Sequence, residues 1–266
     1  MDSKKALVVI SFGSTFDETR THDIGGIEQA LAAAFPAYDQ YRAFTSTVIR
    51  KRLSARGINI DDTETVLQKL HEHGYEEVVL QPTHLLHGEE FEQKILSLKE
   101  KYTSTFKKII ISQPLIVNEL DYKLTAAAIA AQLPTLAADE GVVLMGHGTP
   151  RNNNKAHGYT YVKLQEIFNA MQLPIVVGTV EDEDTPNFEA VLEQLKKRCY
   201  KHVHMYPLMV VAGDHANNDM YGTDEDSWKT QIEALGIKTT GHLCGLGRTK
   251  AIQALYIQHV LRALSI

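Results

Sequence analysis

Three side chains suited to binding a transition metal follow predicted strands in the second half of the chain. They are His147, Glu181 and His215, and glycines stand on both sides of His147. Flanking glycines let the backbone turn sharply and leave the imidazole exposed. Two imidazoles and a carboxylate form a mixed nitrogen and oxygen set suited to Co, Fe, Ni or Zn, and three ligands leave coordination positions open. The pattern therefore predicts a metal site that can carry out chemistry.

Each of these residues also has an ordinary structural explanation. The Gly-His-Gly sequence is compatible with a tight turn between a strand and a helix. Asp214 and Asp219 can orient His215 as partners of a ligating imidazole, or cap the next helix. The acidic run 180–184 is typical of a solvated surface, and only Glu181 stands at the predicted strand end. The motifs alone leave both interpretations open.

A second polar cluster, residues 84–90, lies in the first half. It contains His84, His87, Glu89 and Glu90 but follows no strict ligand spacing. An acid-rich helix start explains Glu89 equally well. Four further histidines are interpreted as packing residues on a strand or as surface residues at a polar helix end, namely His202 and His204, and His71 and His73.

Composition excludes several classes of function. The 266 residues suffice for one large domain or two of about 130 residues. Lys and Arg total 27 against 33 Asp and Glu, which predicts no nucleic-acid partner. No segment approaches the roughly 20 apolar residues of a membrane helix, and the apolar run 6–10 is too short for a signal peptide. We expect a cytoplasmic protein without a membrane partner, a disulfide framework or a cysteine zinc site.

Short apolar runs alternate with amphipathic stretches along the whole chain. Runs nearly continuous in Val, Ile and Leu are typical of parallel strands that helices cover on both faces, so we predict an α/β fold. The predicted strands are 6–11, 77–81, 108–112, 141–145, 174–180 and 202–211. The predicted helices are 27–35, 63–73, 90–102, 122–132, 188–199 and 249–264.

The sequence also shows an internal duplication. Three segments of the first half match the second half in the same order: 8–14 with 143–149, 43–46 with 178–181, and 78–82 with 203–207. This order predicts two similar Rossmann-like halves, residues 1–125 and 126–266, with parallel sheets and a central cleft. Ligands of such sheets bind at the carboxyl ends of strands. There the first half has Phe12, Ser46 and Glu90, so the metal-binding set belongs to the second half.

At these motifs the chain resembles the anaerobic sirohydrochlorin cobaltochelatases of the CbiK type, which are class II chelatases. The matching motifs are 5–14, 42–46, His84-x-x-x-Gly88-x-Glu90, 145–148 and 207–220, of which the last is long and specific. The resemblance implies a chelatase-like fold and ATP-independent insertion of Co²⁺, as substrate metal, into sirohydrochlorin during cobalamin biosynthesis. It implies His147, Glu181 and His215 as metal ligands, and His147, His215 and Glu90 as catalytic residues. His87 departs from the pattern.

The chemistry of metal insertion agrees with these residue types. A tetrapyrrole must lose two N–H protons while the metal loses water, and neutral imidazoles can hold the metal and accept protons. Nucleotide-binding motifs of the GxGxxG and Walker types are absent from the sequence, so we expect no nucleotide. The alternatives are an iron chelatase acting on the same tetrapyrrole and a non-catalytic tetrapyrrole or haem carrier. A metal-dependent hydrolase is disfavoured because no HExxH motif occurs, and a homo-oligomer remains open.

Overall fold

The computed structural model describes residues 3–148, 159–181 and 184–265. Within these ranges the chain forms two four-stranded sheets, and all strand pairs are parallel. The predicted α/β class is therefore confirmed. The strands are β1 (Lys5–Ser11), β2 (Asp39–Phe44), β3 (Glu77–Pro82), β4 (Lys108–Ile111), β5 (Glu140–Gly146), β6 (Ile175–Thr179), β7 (His202–Pro207) and β8 (Lys238–Gly241).

Helices connect the strands, as parallel pairing requires. They are α1 (Asp17–Thr19), α2 (Gly25–Ala34), α3 (Thr47–Ser54), α4 (Thr63–Glu72), α5 (Glu89–Phe91), α6 (Ser97–Tyr102), α7 (Glu119–Ala130), α8 (Thr160–Ala170), α9 (Phe188–Arg198), α10 (Trp228–Glu233) and α11 (Lys250–Leu264). Side chains at Ser46, Asp62 and Asn187 accept backbone N–H groups and so begin α3, α4 and α9. Among the described helices, none combines the length and apolar character needed to cross a membrane.

The two sheets share one topology. The strand orders are β2-β1-β3-β4 and β6-β5-β7-β8. In each sheet the strand that comes first in the chain, β1 or β5, lies between the second and the third strand. The match extends to single hydrogen bonds. The N–H of Ser46 donates to the carbonyl of Phe12, and at the equivalent place the N–H of Glu181 donates to the carbonyl of His147; both distances are 3.2 Å. The duplication seen in the sequence is therefore repeated in the backbone.

The chain divides into two compact units. The first contains residues up to Asp121 and those from Gly247 onward, and the second is Tyr122–Leu246. The sequence analysis assigned all of 126–266 to the second half, whereas helix α11 groups with the first unit. In that unit the hydroxyl of Tyr256 donates to the carbonyl of Thr83 at 2.9 Å. Chain order suggested the other assignment, but the buried face of an amphipathic helix decides which sheet it covers.

Three strands differ from the sequence prediction. The run predicted as a strand over 202–211 leaves the sheet after Pro207, where the N–H of Leu208 makes a last bond to the carbonyl of Met145 at 2.7 Å. The edge strands β2 and β8 were missed because most of their residues are polar and only partly buried. Strands that are buried on both faces give a clear apolar signal, which the polar edge strands β2 and β8 lack.

Candidate metal site

A tight turn at the end of β5 presents His147 to solvent. A Cβ atom at Gly146 would lie 2.1 Å from Cε1 of Tyr161, so this position has room only for glycine. Gly148 has φ +104°, and a Cβ there would lie 2.8 Å from Cβ of Glu181. The two glycines thus let the chain pass closely between neighbouring groups, and the imidazole side chain between them is 49% exposed.

The hydrogen bonds around His147 indicate which ring nitrogen is available. Its Nδ1 lies 3.3 Å from the carbonyl oxygen of Gly148, an acceptor that favours a proton on Nδ1. The other nitrogen, Nε2, lies 4.0 Å from Oε1 of Glu181. The lone pair of Nε2 is then directed to the same side as the carboxylate. This is the arrangement that a cation placed near both atoms requires.

His215 joins these two residues from the segment that follows β7. Its ring centroid lies 4.8 Å from that of His147, and the ring planes meet at 83°. Nδ1 of His215 lies 2.6 Å from Oδ2 of Asp219. A carboxylate on one nitrogen of a histidine fixes the tautomer and orients the other nitrogen. Nε2 of His215 is therefore the atom left for a metal.

The structure brings together His147, Glu181 and His215, the three residues that the sequence singled out as metal ligands. All three belong to the second unit: His147 directly follows β5, Glu181 is the second residue after β6, and His215 lies in the longer segment that follows β7. Two imidazole nitrogens and one carboxylate offer a ligand set for a late divalent metal, with positions left open for a second molecule. Of the acidic run 180–184, Asp182 and Glu183 lie outside the described residues.

Sequence reasoning missed one supporting residue, Tyr161. This buried tyrosine lies in the first turn of α8, and its hydroxyl oxygen accepts a hydrogen bond from the N–H of Gly148 at 3.3 Å. Burial raises the pKa of its hydroxyl to about 12, so the group stays protonated at neutral pH. The role of Tyr161 could not be predicted from the sequence, because α8 was not among the predicted helices. Only the three-dimensional contact links Tyr161 to the glycine turn.

The first unit contains the second polar cluster. Glu90 lies in the first turn of α5 and pairs with Lys94 at 2.9 Å. Nε2 of His87 lies 3.2 Å from Oε1 of Glu92, and its ring packs edge-on against Phe91 at 4.7 Å. Both residues predicted to assist the reaction from this half therefore carry local polar contacts.

His84 in the same cluster is shielded from solvent at both ring nitrogens, and neither nitrogen has a hydrogen-bond partner among the residues that the structure describes. Burial lowers the pKa of this imidazole to about 4, although the nearby Glu90 acts in the opposite direction. His84 is therefore neutral at physiological pH. An uncharged imidazole avoids the free-energy cost of a buried, unpaired cation.

Comparison with known proteins decides the family. The chain matches the family described as "Cobalt chelatase (CbiK)" over residues 5–265. It belongs to this family. It is 39% identical to the sirohydrochlorin cobaltochelatase of Salmonella typhimurium, with 98% of this chain and 97% of the relative covered. It is 28% identical to the sirohydrochlorin cobaltochelatase CbiKC of Nitratidesulfovibrio vulgaris, with 99% of this chain and 92% of the relative covered.

Solved structures support the fold. The sirohydrochlorin chelatase SirB from Bacillus subtilis subspecies spizizenii, in complex with cobalt, aligns with a TM-score of 0.63 and 12% identity, covering 98% of this chain and 96% of that one. SirB from Bacillus subtilis with Fe³⁺ aligns with a TM-score of 0.61 and 15% identity, covering 98% and 95%. The chelatase-like fold expected from the CbiK resemblance is confirmed, and the family places the chain among metal chelatase enzymes.

Proposed function

We propose that this CbiK-family chain inserts Co²⁺ into sirohydrochlorin, and that it does so without a nucleotide. The observation that carries the proposal is the convergence of His147, Glu181 and His215 from the segments that follow β5, β6 and β7. Sirohydrochlorin is proposed as the substrate because the two relatives named above are sirohydrochlorin cobaltochelatases that align over nearly the whole chain.

In this proposal the three residues hold the substrate metal before it enters the macrocycle. Nε2 of His147 and Nε2 of His215 bind Co²⁺, and the carboxylate of Glu181 offsets part of its charge. A site with three protein ligands keeps positions open, so pyrrole nitrogens can bind before the protein ligands leave. The exchange is balanced, since one divalent cation enters the macrocycle as two N–H protons leave.

The released protons need acceptors close to the metal. Imidazole is the side chain best suited to exchanging protons near neutral pH. His147 and His215 can therefore take up protons as they release the metal. The contact of Asp219 with Nδ1 orients the ring of His215 for metal binding. One pair of histidines would thus serve both steps.

We also propose a role in substrate handling for the first unit, through Glu90 with His87 beside it. Glu90 pairs with Lys94, which also donates to the carbonyl of Thr45 at 3.2 Å. The carboxylate is therefore held in place, yet its side chain is 30% exposed and open to a ligand. A carboxylate in this state can orient a substrate or accept a proton from it.

An anaerobic optical assay tests the proposed function. Purified protein is mixed with sirohydrochlorin and either Co²⁺ or Fe²⁺, without ATP, and the spectrum of the metallated product is followed. We expect many turnovers per chain and a higher kcat/KM for Co²⁺. Binding of tetrapyrrole without turnover would identify a carrier, and a higher kcat/KM for Fe²⁺ would identify an iron chelatase; either result contradicts the proposal.

A further inference from the structure

A second group of metal-capable side chains lies on the sheet of the second unit. β7 directs Val203 and Met205 into the apolar core, and it directs His202 and His204 to the opposite face. Glu140, the first residue of β5, is the register partner of His202. One ligand atom from each of Glu140, His202 and His204 can be chosen so that all three lie within 4.8 Å of one another.

Short contacts join these groups into a chain of imidazoles. Nδ1 of His202 lies 2.8 Å from Oε1 of Glu140, and Nε2 of His202 lies 2.9 Å from Oγ1 of Thr240. Nδ1 of His204 lies 3.1 Å from Nε2 of His242, which follows β8. The ring centroids of His202 and His204 are 4.6 Å apart. Three parallel strands therefore contribute to one cluster.

The spacing of the His204 and His242 nitrogens suits metal ligands. Metal–nitrogen bonds of about 2.0–2.1 Å in a tetrahedral site put neighbouring ligand atoms roughly 3.3 Å apart. The two nitrogens are already 3.1 Å apart, and a neutral pair can hold at most one proton between them. A divalent cation can take the place of that proton after a small movement of the rings.

The first unit shows that the fold does not need histidines at these positions. The pair equivalent to Glu140 and His202 is Lys5 and Glu77, an ordinary ion pair at 3.2 Å. The residue equivalent to His204 is Val79, which is fully buried. One copy of this fold therefore packs the strand with standard contacts, and the other presents partly exposed imidazoles.

We propose that Glu140, His202 and His204, with His242 as a fourth donor, bind a late first-row divalent cation such as Co²⁺, Ni²⁺ or Zn²⁺. This site is separate from that of His147. Glu140 begins β5 and His147 follows its end, and seven extended residues span about 20 Å. The two sites cannot share an ion, so the chain holds two ions at once. The nitrogen-rich ligand set selects late transition metals over Mg²⁺ or Ca²⁺.

The test measures how many Co²⁺ ions bind to the metal-free protein under anaerobic conditions. Equilibrium dialysis and the visible absorption of bound Co²⁺ are recorded for the wild type and three double variants. The variants are His202→Ala with His204→Ala, His147→Ala with His215→Ala, and the surface control His71→Ala with His73→Ala. We expect two ions for the wild type and the control, and one ion for each of the other two.

A more conservative single variant is a control in case the double variant fails to fold. His204→Val introduces the residue that the first unit has at the equivalent position, and we expect the second ion to bind at least tenfold more weakly. Insertion of Co²⁺ into sirohydrochlorin by this variant should stay within twofold of wild type, so the outcome is independent of the proposed function. One Co²⁺ per chain in the wild type, or two in the His202 and His204 double variant, would overturn the second site.

Discussion

The carboxylate of Asp219 lies 2.6 Å from Nδ1 of His215, one helical turn along the chain. The ring of His215 in turn meets the ring of His147 edge-on. An imidazole held by a carboxylate in this way keeps one tautomer and one direction.

Replacing Asp219 by Asn should weaken the hold on Co²⁺ without disturbing the fold. Loss of such a partner typically costs 10–100-fold in metal affinity or activity. We expect the KM for Co²⁺ in the insertion assay to rise about tenfold or more. The matched control is Asp214→Asn, since Asp214 lies on the same turn but accepts from Asn218 at 3.1 Å. An equal effect of both variants would mean that only net charge matters.

Replacing Gly148 by Ala should reduce activity more than stability. The backbone has φ +104° there, and the new Cβ would press on the side chain of Glu181. Movement of this carboxylate away from His147 should lower the insertion rate by tenfold or more. Gly213→Ala is the control, because a Cβ at Gly213 would meet no atom of the described residues within 4 Å. Wild-type rates in Gly148→Ala would show that the close packing at this turn is irrelevant to the reaction.

Replacing Glu90 by Gln tests the contribution of the first unit. If the carboxylate handles substrate or protons, the variant should lower kcat by roughly tenfold or more while keeping the shape of the side chain. Glu89→Gln is the control, because Glu89 is the neighbouring acid and accepts a hydrogen bond from Gln93 at 2.6 Å. Unchanged turnover and unchanged tetrapyrrole binding in Glu90→Gln would show that this carboxylate handles neither substrate nor protons.

We expect the buried His84 to make the free energy of unfolding decrease as the pH falls. Its pKa is about 4 in the folded chain and 6.5 when unperturbed, so the unfolded chain takes up the proton first as pH falls. Stability that is present above pH 6.5 is therefore lost as pH falls toward 4. Between pH 7 and pH 5 this one group should cost about 2 kcal/mol.

Urea unfolding at several pH values measures the contribution of His84 to the free energy of unfolding. In His84→Leu the free energy of unfolding should fall less steeply between pH 7 and pH 5, because the variant has no imidazole to protonate. His73→Gln, at an exposed helix end, should follow the wild type. Parallel curves for the wild type and His84→Leu would show that His84 does not titrate differently on unfolding.

The sequence predicted the elements whose burial leaves a clear pattern. β1, β3 and β5 are nearly continuous apolar runs, and helices α4 and α9 begin close to the predicted residues. The edge strands β2 and β8 were missed because solvent on one side permits polar residues. The grouping of α11 with the first unit was also missed, since sequence order does not show which sheet a helical face will cover.

The sequence singled out the candidate metal site but not its surroundings. His147, Glu181 and His215 were predicted as ligands because strand ends of a duplicated α/β fold are equivalent positions, and their role as ligands stays a prediction. Tyr161 carries no such signal, as its link to Gly148 exists only after folding. The cluster of Glu140 and His204 was missed for the same reason. In the sequence, alternating histidines on one strand indicate packing. In the structure Glu140 lies beside them, on a strand that is distant in the sequence but adjacent in the sheet.

His147 and His215 are proposed to bind the substrate metal and to accept protons as it enters the macrocycle, and four single variants test this role. Co²⁺ insertion rates and thermal stability are measured for four single variants, in which Ala replaces His147, His215, His71 or His73. The account predicts that the first two lose most of their activity with little change in melting temperature, since exposed residues at strand ends add little to the core. It predicts near-wild-type activity for the last two. Equal loss in all four variants, or full activity in His147→Ala and His215→Ala, would contradict it.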